Sequence, residues 1–256
     1  MKAAALVIAT LARRELVRFV RQRSRLVGAL GQPLLFWLLL GAGLKASFVP
    51  AGEPVGTGAA QYLYPGILAL TLLFTSIFAT ISVVEDRRAG FLQGVLASPA
   101  PRWSIVMGQA VGATALGVIQ GGLLLLLAPA AGVALTPARV LASLGVMLPM
   151  AFAMAALGLV LAWRLESTQG FHALMNLALM PMWLLSGALF PAAGAPGWMA
   201  LLMKVNPMAY GLAVLRRCLL GSVPNGGRAV RELAVMAACG AIALLAATLL
   251  ARRASA

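Results

Sequence analysis

Glu85-Asp86-Arg87-Arg88-Ala89-Gly90-Phe91-Leu92-Gln93-Gly94-Val95-Leu96-Ala97-Ser98-Pro99-Ala100-Pro101-Arg102 is a charged cluster followed by a short apolar run and a Pro-x-Pro stop. It separates two stretches, 63–84 and 105–127, that are each long and apolar enough to cross a bilayer, which takes about 20 residues. Phe91, Leu92, Val95 and Leu96 fall at helical spacing on one face. Gly90 and Pro99 bracket a piece of about two turns. Glu85 and Asp86 precede it, where the helix dipole favours negative charge. A helix this short is marginal in water and needs a surface to dock on. The residues alone leave lipid and a protein partner equally open as that surface.

Outward from this segment the chain is written for lipid. Of 256 residues, 62% are hydrophobic and 10% charged, whereas soluble domains carry about 25% charged residues. Too few charges remain to cover a water-facing surface. Six membrane-length runs are predicted, at 26–44, 63–84, 105–127, 140–163, 173–190 and 233–250. The expected fold is therefore all-α: a polytopic membrane protein forming one domain over 1–256. Glycine and proline inside the runs are tolerated where neighbouring helices satisfy the freed backbone groups.

The net charge of +14 does not point to nucleic acid, because the arginines sit at the ends of apolar runs, where they set topology and meet anionic headgroups. Lys2, the six arginines from Arg13 to Arg25, Arg87, Arg88, Arg102, Arg164, Arg252 and Arg253 fall on one side. Lys45, Arg139, Lys204, Arg216, Arg217, Arg228 and Arg231 fall on the other. The bias places both termini inside. Lys2 and the apolar residues after it resemble a signal peptide only superficially, since Arg13-Arg14 stand where cleavage would occur. Residues 1–25 read instead as an interfacial helix. Arg14, Arg18, Arg21 and Arg25 share one face, while Leu16, Phe19 and Val20 share the other, which would lie down into lipid.

Segment 191–231 carries most of the outer charge. Its part 191–221 reads as two short helices broken at Asn206-Pro207, since proline fixes its own φ and disfavours helix at the residue before it. Two half-length helices would form an external re-entrant hairpin between spans five and six, running from Pro191 past Arg216; a surface loop on the outer leaflet is the alternative.

Catalytic chemistry finds little to work with. The six acids, Glu15, Glu53, Glu85, Asp86, Glu166 and Glu232, lie near run ends or in loops, and an ion-coupled carrier needs an ionisable group within the membrane. One histidine, His172, and two distant cysteines, Cys218 and Cys239, do not make a metal site; His172 reads as an interface residue. No G-x-x-x-x-G-K-[ST] loop is present, so the chain has no phosphate-binding loop of that kind with which to hydrolyse ATP.

Three elements in order resemble the permease subunits of type-2 ABC exporters. Residues 85–99 look like the family's E-x-x-x-G-x-L-x-x-L-x-x-[ST]-P pattern, offset at Glu85/Asp86. Leu185-Ser186-Gly187-Ala188-Leu189-Phe190-Pro191 looks like its S-G-x-x-[FY]-P. Asn206-Pro207-Met208 followed by Arg216 looks like its N-P-[LM]…R. The resemblance covers essentially the whole chain and implies a dimer of permeases, each docking a cytoplasmic ATPase subunit that carries ATP and magnesium. This chain would bind no cofactor and would not itself be an enzyme. It would sit in a bacterial inner membrane, in contact with lipid.

In that scheme 85–102 is the coupling segment, with Glu85, Asp86, Arg88, Gly90, Phe91, Leu92, Val95, Leu96 and Pro99 as its contact residues and 90–97 as the inserted helix. The resemblance also implies a path lined by spans one, two and five; candidates there are Gln32, Phe36, Trp37, Thr71, Phe74, Thr75, Phe78, Asn176 and Trp183. The scarcity of charge in the spans favours an amphipathic or lipid-like cargo, as in the drug-resistance, nodulation-factor and polysaccharide exporters. The competing readings are an integral membrane lipid-modifying enzyme and an ion-coupled secondary carrier.

Overall fold

A computed structural model describes residues 2–21, 23–43, 58–98, 100–189, 195–221 and 226–253. Eleven α-helices are present among them: α1 (Lys2–Arg21), α2 (Arg23–Gly43), α3 (Ala59–Ala79), α4 (Ile81–Arg88), α5 (Phe91–Ala97), α6 (Arg102–Leu125), α7 (Pro137–Arg164), α8 (Thr168–Leu184), α9 (Gly197–Val205), α10 (Pro207–Leu220) and α11 (Gly226–Arg253). A 3-10 turn at Ala128–Ala131 follows α6, and no strand occurs among the described residues.

α3 is the hub. A helix apolar on every side has no face to give to solvent and is buried all round, and from Tyr62 to Leu73 every residue of α3 is buried. α2, α6, α7, α8 and α10 surround it. Close approach comes from small residues. A Cβ on Gly158 of α7 would meet the Ile77 backbone of α3 at 3.1 Å, and one on Gly240 of α11 would meet the Ala153 backbone of α7 at 3.2 Å. Backbones this close gain packing that bulky side chains would prevent. α11 lies at the rim and presents Ile242, Leu245 and Leu249 outward, as a lipid-facing helix does.

Among the described residues the expected six spans are not all confirmed. Ala59–Arg88, Arg102–Leu125, Pro137–Arg164 and Gly226–Arg253 are long and apolar enough to cross a membrane. α9 and α10, bent by 86°, would make a fifth if taken as one span. Expected span five falls short, and expected span one lies in α2, whose described apolar part is Gly31–Gly43. α8 has 17 residues, about 26 Å, against a hydrocarbon core of about 30 Å.

The N-terminal helix differs too. Its apolar stripe (Ala4, Leu11, Ala12 and Phe19) is buried, and α1 lies against α6. A Cβ on Gly108 would meet Ile8 and Leu11, and one on Gly112 would meet Ala12 and Glu15. Protein, not lipid, thus covers the face expected to lie down in the bilayer, and Val20 points outward. Arg25 belongs to α2.

A charged segment latched to the N-terminal helix, and an adjoining cavity

The charged end of α4 is turned inward. Arg14 of α1 donates to both carboxylate oxygens of Asp86, with Nη2 to Oδ1 at 2.7 Å. Arg18, one turn on, donates to Asp86 Oδ1 at 3.1 Å and to Glu85 Oε2 at 2.6 Å. Arginines at i and i+4 present two forks side by side, which suits two adjacent carboxylates. Asp86 raises the Arg14 guanidinium above its ordinary value by accepting its hydrogen bonds. Glu15 is buried beneath them. Burial pushes its carboxyl above the usual range, opposed by a hydrogen bond from Ser82 and by both arginines. Glu85 and Asp86 therefore do not serve as dipole partners of the short helix; they fasten α4 to α1.

Gly90 has φ +75°, a left-handed turn that costs a side-chain-bearing residue about 1–2 kcal/mol. It reverses the chain into α5. Ser98 Oγ closes the far end on the Val95 carbonyl at 2.6 Å, and Arg102 donates to the Leu96 carbonyl.

The four residues expected on one docking face of α5 divide. Leu92 is 2% exposed and anchors the helix in the core, with Leu96 packed beside it. Val95 is half-buried, and Phe91 is 42% exposed. The Phe91 ring lies under the Arg14 guanidinium, 3.9 Å from its centroid to Cζ, a cation–π contact. Gln93, Gly94 and Ala97 face outward, as does Arg88. Pro99 lies outside the described residues.

Arg87, not singled out from sequence, ties α4 to the end of α7. It donates to the carbonyls of Leu165 at 3.2 Å, Trp163 at 3.3 Å and Ala162 at 3.4 Å, and it lies over the Trp163 ring. These are terminal helix carbonyls that lack intrahelical partners.

A cavity of about 260 Å³ adjoins this assembly. Gln32, Phe74, Thr75 and Phe78, all expected on the path, line it, together with Phe19 of α1, Ile81 of α4 and His172 of α8. The Phe78 ring lies 5.6 Å from that of Phe74 and 5.3 Å from that of His172. Thr75 donates to Gln120 Oε1.

The other expected path residues are placed elsewhere. Phe36 meets Trp183 edge-on. Trp183 donates to the Gly66 carbonyl at 2.8 Å. Trp37 stacks edge-on to Tyr64 and donates to the Ala60 carbonyl at 3.3 Å. Thr71 back-bonds to the Ile67 carbonyl. Asn176 is exposed on α8, away from the cavity.

At the opposite end, Asn206 breaks α9 from α10. Its Oδ1 accepts from Met208 N at 3.0 Å as an N-cap, and its Nδ2 donates to the Met182 carbonyl at 2.6 Å. Pro207 takes the first helical position, where its missing N–H costs nothing. Arg216 donates to the carbonyls of Gly187 at 3.0 Å and Ala188 at 3.4 Å and lies over the Tyr62 ring at 4.3 Å. The bent pair is thereby tied to the end of α8. Pro191 lies outside the described residues.

Comparison with known proteins agrees in one direction. A model of the ABC-2 type transporter family matches residues 7–220. The chain is 27% identical over 209 residues to a putative transport permease ycf38 of Cyanophora paradoxa, covering 80% of this chain and 71% of that protein. It is 27% identical over 209 residues to nodulation protein J of Sinorhizobium fredii, covering 81% and 78%. It is 26% identical over 211 residues to a putative transport permease ycf38 of Porphyra purpurea, covering 82% and 72%.

Proposed function

The chain belongs to the ABC-2 type transporter family, and from that membership we propose that it is the membrane-spanning subunit of an ATP-driven exporter. A separate cytoplasmic subunit supplies ATP hydrolysis, with ATP and magnesium on that subunit. The cargo is amphipathic or lipid-like and leaves the cytoplasm through the inner membrane.

One observation carries this reading: α5 is anchored by Leu92 and presents Gln93, Gly94 and Ala97 to the outside, while the elements that hold it also reach the cavity. Ile81 of α4 and Phe19 of α1 are cavity wall. A displacement of α5 passes to α4 through a single turn and to α1 through Arg14, so docking at one end reshapes the cavity at the other. The lining mixes aromatic rings with Gln32, Thr75 and His172 and brings no acid or arginine among the described residues, which suits a cargo with an apolar body and hydrogen-bonding groups. A second copy would cover the exposed Leu35, Leu38 and Leu39 of α2 and Leu177 of α8.

The test is transport in proteoliposomes holding the chain and its ATPase subunit. Uptake of a fluorescent amphiphile into inverted vesicles is expected only with hydrolysable ATP. Transport driven by an ion gradient with no ATPase present would replace this reading with that of a secondary carrier.

A further inference from the structure

Three polar side chains line the cavity, and they differ in kind. Gln32 and His172 are exposed, whereas Thr75 is only 7% exposed. Thr75 donates its hydroxyl proton to Oε1 of Gln120, on α6. A hydroxyl has one proton to give and two lone pairs to offer. With the proton committed behind the wall, the Thr75 oxygen meets the cavity as an acceptor alone. Branching at Cβ leaves the side chain few rotamers by which to turn away.

Gln120 comes from a helix that was not expected on the path. It stands between Gly117 and Gly121, and both mark a close approach of α6 to α3. A Cβ on Gly117 would meet Ser76 Oγ, and one on Gly121 would meet Leu72 Cδ2 at 3.0 Å. The missing side chains let a long amide enter the seam and reach Thr75. Gln120 is 1% exposed, and its Nε2 finds no partner among the described residues. A buried amide left half-satisfied destabilises a fold, and leucine would fill the same space without that penalty. Packing alone gives no reason for glutamine at this position, whereas the bond to Thr75 does.

We propose that Thr75 is the cavity's acceptor for a hydroxyl or N–H of the cargo, and that Gln120 is the positioning residue that makes it one. The assignment rests on the cargo reading of the cavity given above. It narrows the cargo to amphiphiles that carry a hydrogen-bond donor beside an apolar body. An ether or carbonyl oxygen at the same place would face a lone pair.

The test compares binding of pyrenebutanol and of its methyl ether to the full chain in nanodiscs. Binding is read by energy transfer from tryptophan and corrected for partition into empty nanodiscs. Wild type is expected to bind the alcohol about fivefold more tightly, the worth of one hydrogen bond. Thr75→Ser is expected to keep that ratio. Thr75→Val/Gln120→Leu removes both partners together, which spares the fold a stranded amide, and is expected to bring the ratio to one. Gln120→Leu alone releases the Thr75 proton to the ether. Its ratio is expected to fall through a gain by the ether, with melting no lower than that of wild type.

Equal binding of the two probes by wild type, or an unchanged ratio in the double variant, overturns the proposal. So does a Gln120→Leu variant that binds both probes more weakly by the same factor, which would mark Gln120 as a purely structural residue. Binding is read without ATP or the ATPase subunit, so a failure of ATP-driven uptake and a failure of this assignment are separate results.

Discussion

Arg14 grips Asp86 with two hydrogen bonds, Nη2 to Oδ1 at 2.7 Å, across 72 residues of sequence. The pair is partly buried, and Asp86 also takes Arg18. Removing the acid takes both hydrogen bonds from Arg14 and leaves Arg18 with Glu85 alone. Asp86→Ala is expected to cost about 2–4 kcal/mol, less than the breaking of a fully buried pair because the Arg14 side chain is 32% exposed, and to abolish ATP-dependent transport. Thermal unfolding in detergent reads the first effect and vesicle uptake the second. The swap Arg14→Asp/Asp86→Arg should recover only part of the stability, because Arg18 then faces an arginine. A swap that melted like Asp86→Ala would deny the direct pairing.

Glu15 makes stability depend on pH in a defined direction. Its folded pKa is raised above the ordinary value of 4.5, chiefly by burial. The folded state therefore favours the protonated form. The contribution of that form is full below the unfolded value and is lost as pH rises through the folded one. Glu15→Gln keeps a neutral group in place throughout. The variant is expected to gain stability over wild type as pH rises from 4.5, with the advantage vanishing at acid pH. Melting curves at several pH values decide it; a gap that did not change with pH would remove burial as the cause.

Packing of α1 onto α6 rests on the absence of side chains at Gly108 and Gly112. A Cβ at Gly112 would approach Glu15 Cβ to 2.9 Å and Ala12 Cα to 3.2 Å. Gly112→Val is expected to lift α1, at about 1–3 kcal/mol, and to expose Arg13 and Arg14 to trypsin. Gly145→Ala is the control, since nothing lies within 4 Å of its added carbon. Equal digestion of the two variants would refute the contact.

These contacts also mark where sequence reading stops. Apolar length sufficed for α3, α6, α7 and α11, because burial in lipid needs only composition. Gly90 announced the turn before α5 and Asn206-Pro207 the break before α10, since both are local backbone constraints. The stripe of Arg14 and Arg18 was equally visible, but its destination was not. Only the fold brings Asp86 within reach, and the same spacing suits a headgroup. One signal was there to be used: two adjacent acids at a span end matched two arginines at i and i+4. Arg87 gave no such signal, because its partners are backbone carbonyls. The path residues were assigned by helix; Phe74, Thr75 and Phe78 line the cavity, whereas the indoles of Trp37 and Trp183 serve helix–helix contacts.

Phe78 occupies the centre of the cavity wall, between Phe74 and His172. Phe78→Ala removes these two ring contacts and the one to Phe171, each about 0.5–1.5 kcal/mol. Cargo-stimulated ATP hydrolysis by the assembled complex is expected to need about tenfold more cargo, with basal hydrolysis unchanged. Asn176→Ala, on the exposed side of α8, should leave the cargo dependence as it is. Equal shifts in both variants would locate binding elsewhere.

The last prediction separates anchoring from docking on α5, whose two sides lie only one residue apart. Leu92 is 2% exposed, so Leu92→Asp buries a charge without a partner, and the chain is expected to melt early or fail to accumulate. Gly94 is exposed, with nothing within 4 Å of an added Cβ. Tryptophan also has a better helix propensity than glycine, by a fraction of about 1 kcal/mol. Gly94→Trp should therefore fold at least as well as wild type while placing a large ring where a partner would sit. Membrane insertion and melting are expected to be unchanged, and co-purification of the ATPase subunit and ATP-driven uptake are expected to be lost. Phe91→Asp lies between the two: it forfeits the ring under Arg14 but offers that cation a carboxylate, so folding should survive. If Gly94→Trp bound the ATPase and transported as wild type does, the outer side of α5 would not be where the ATPase docks.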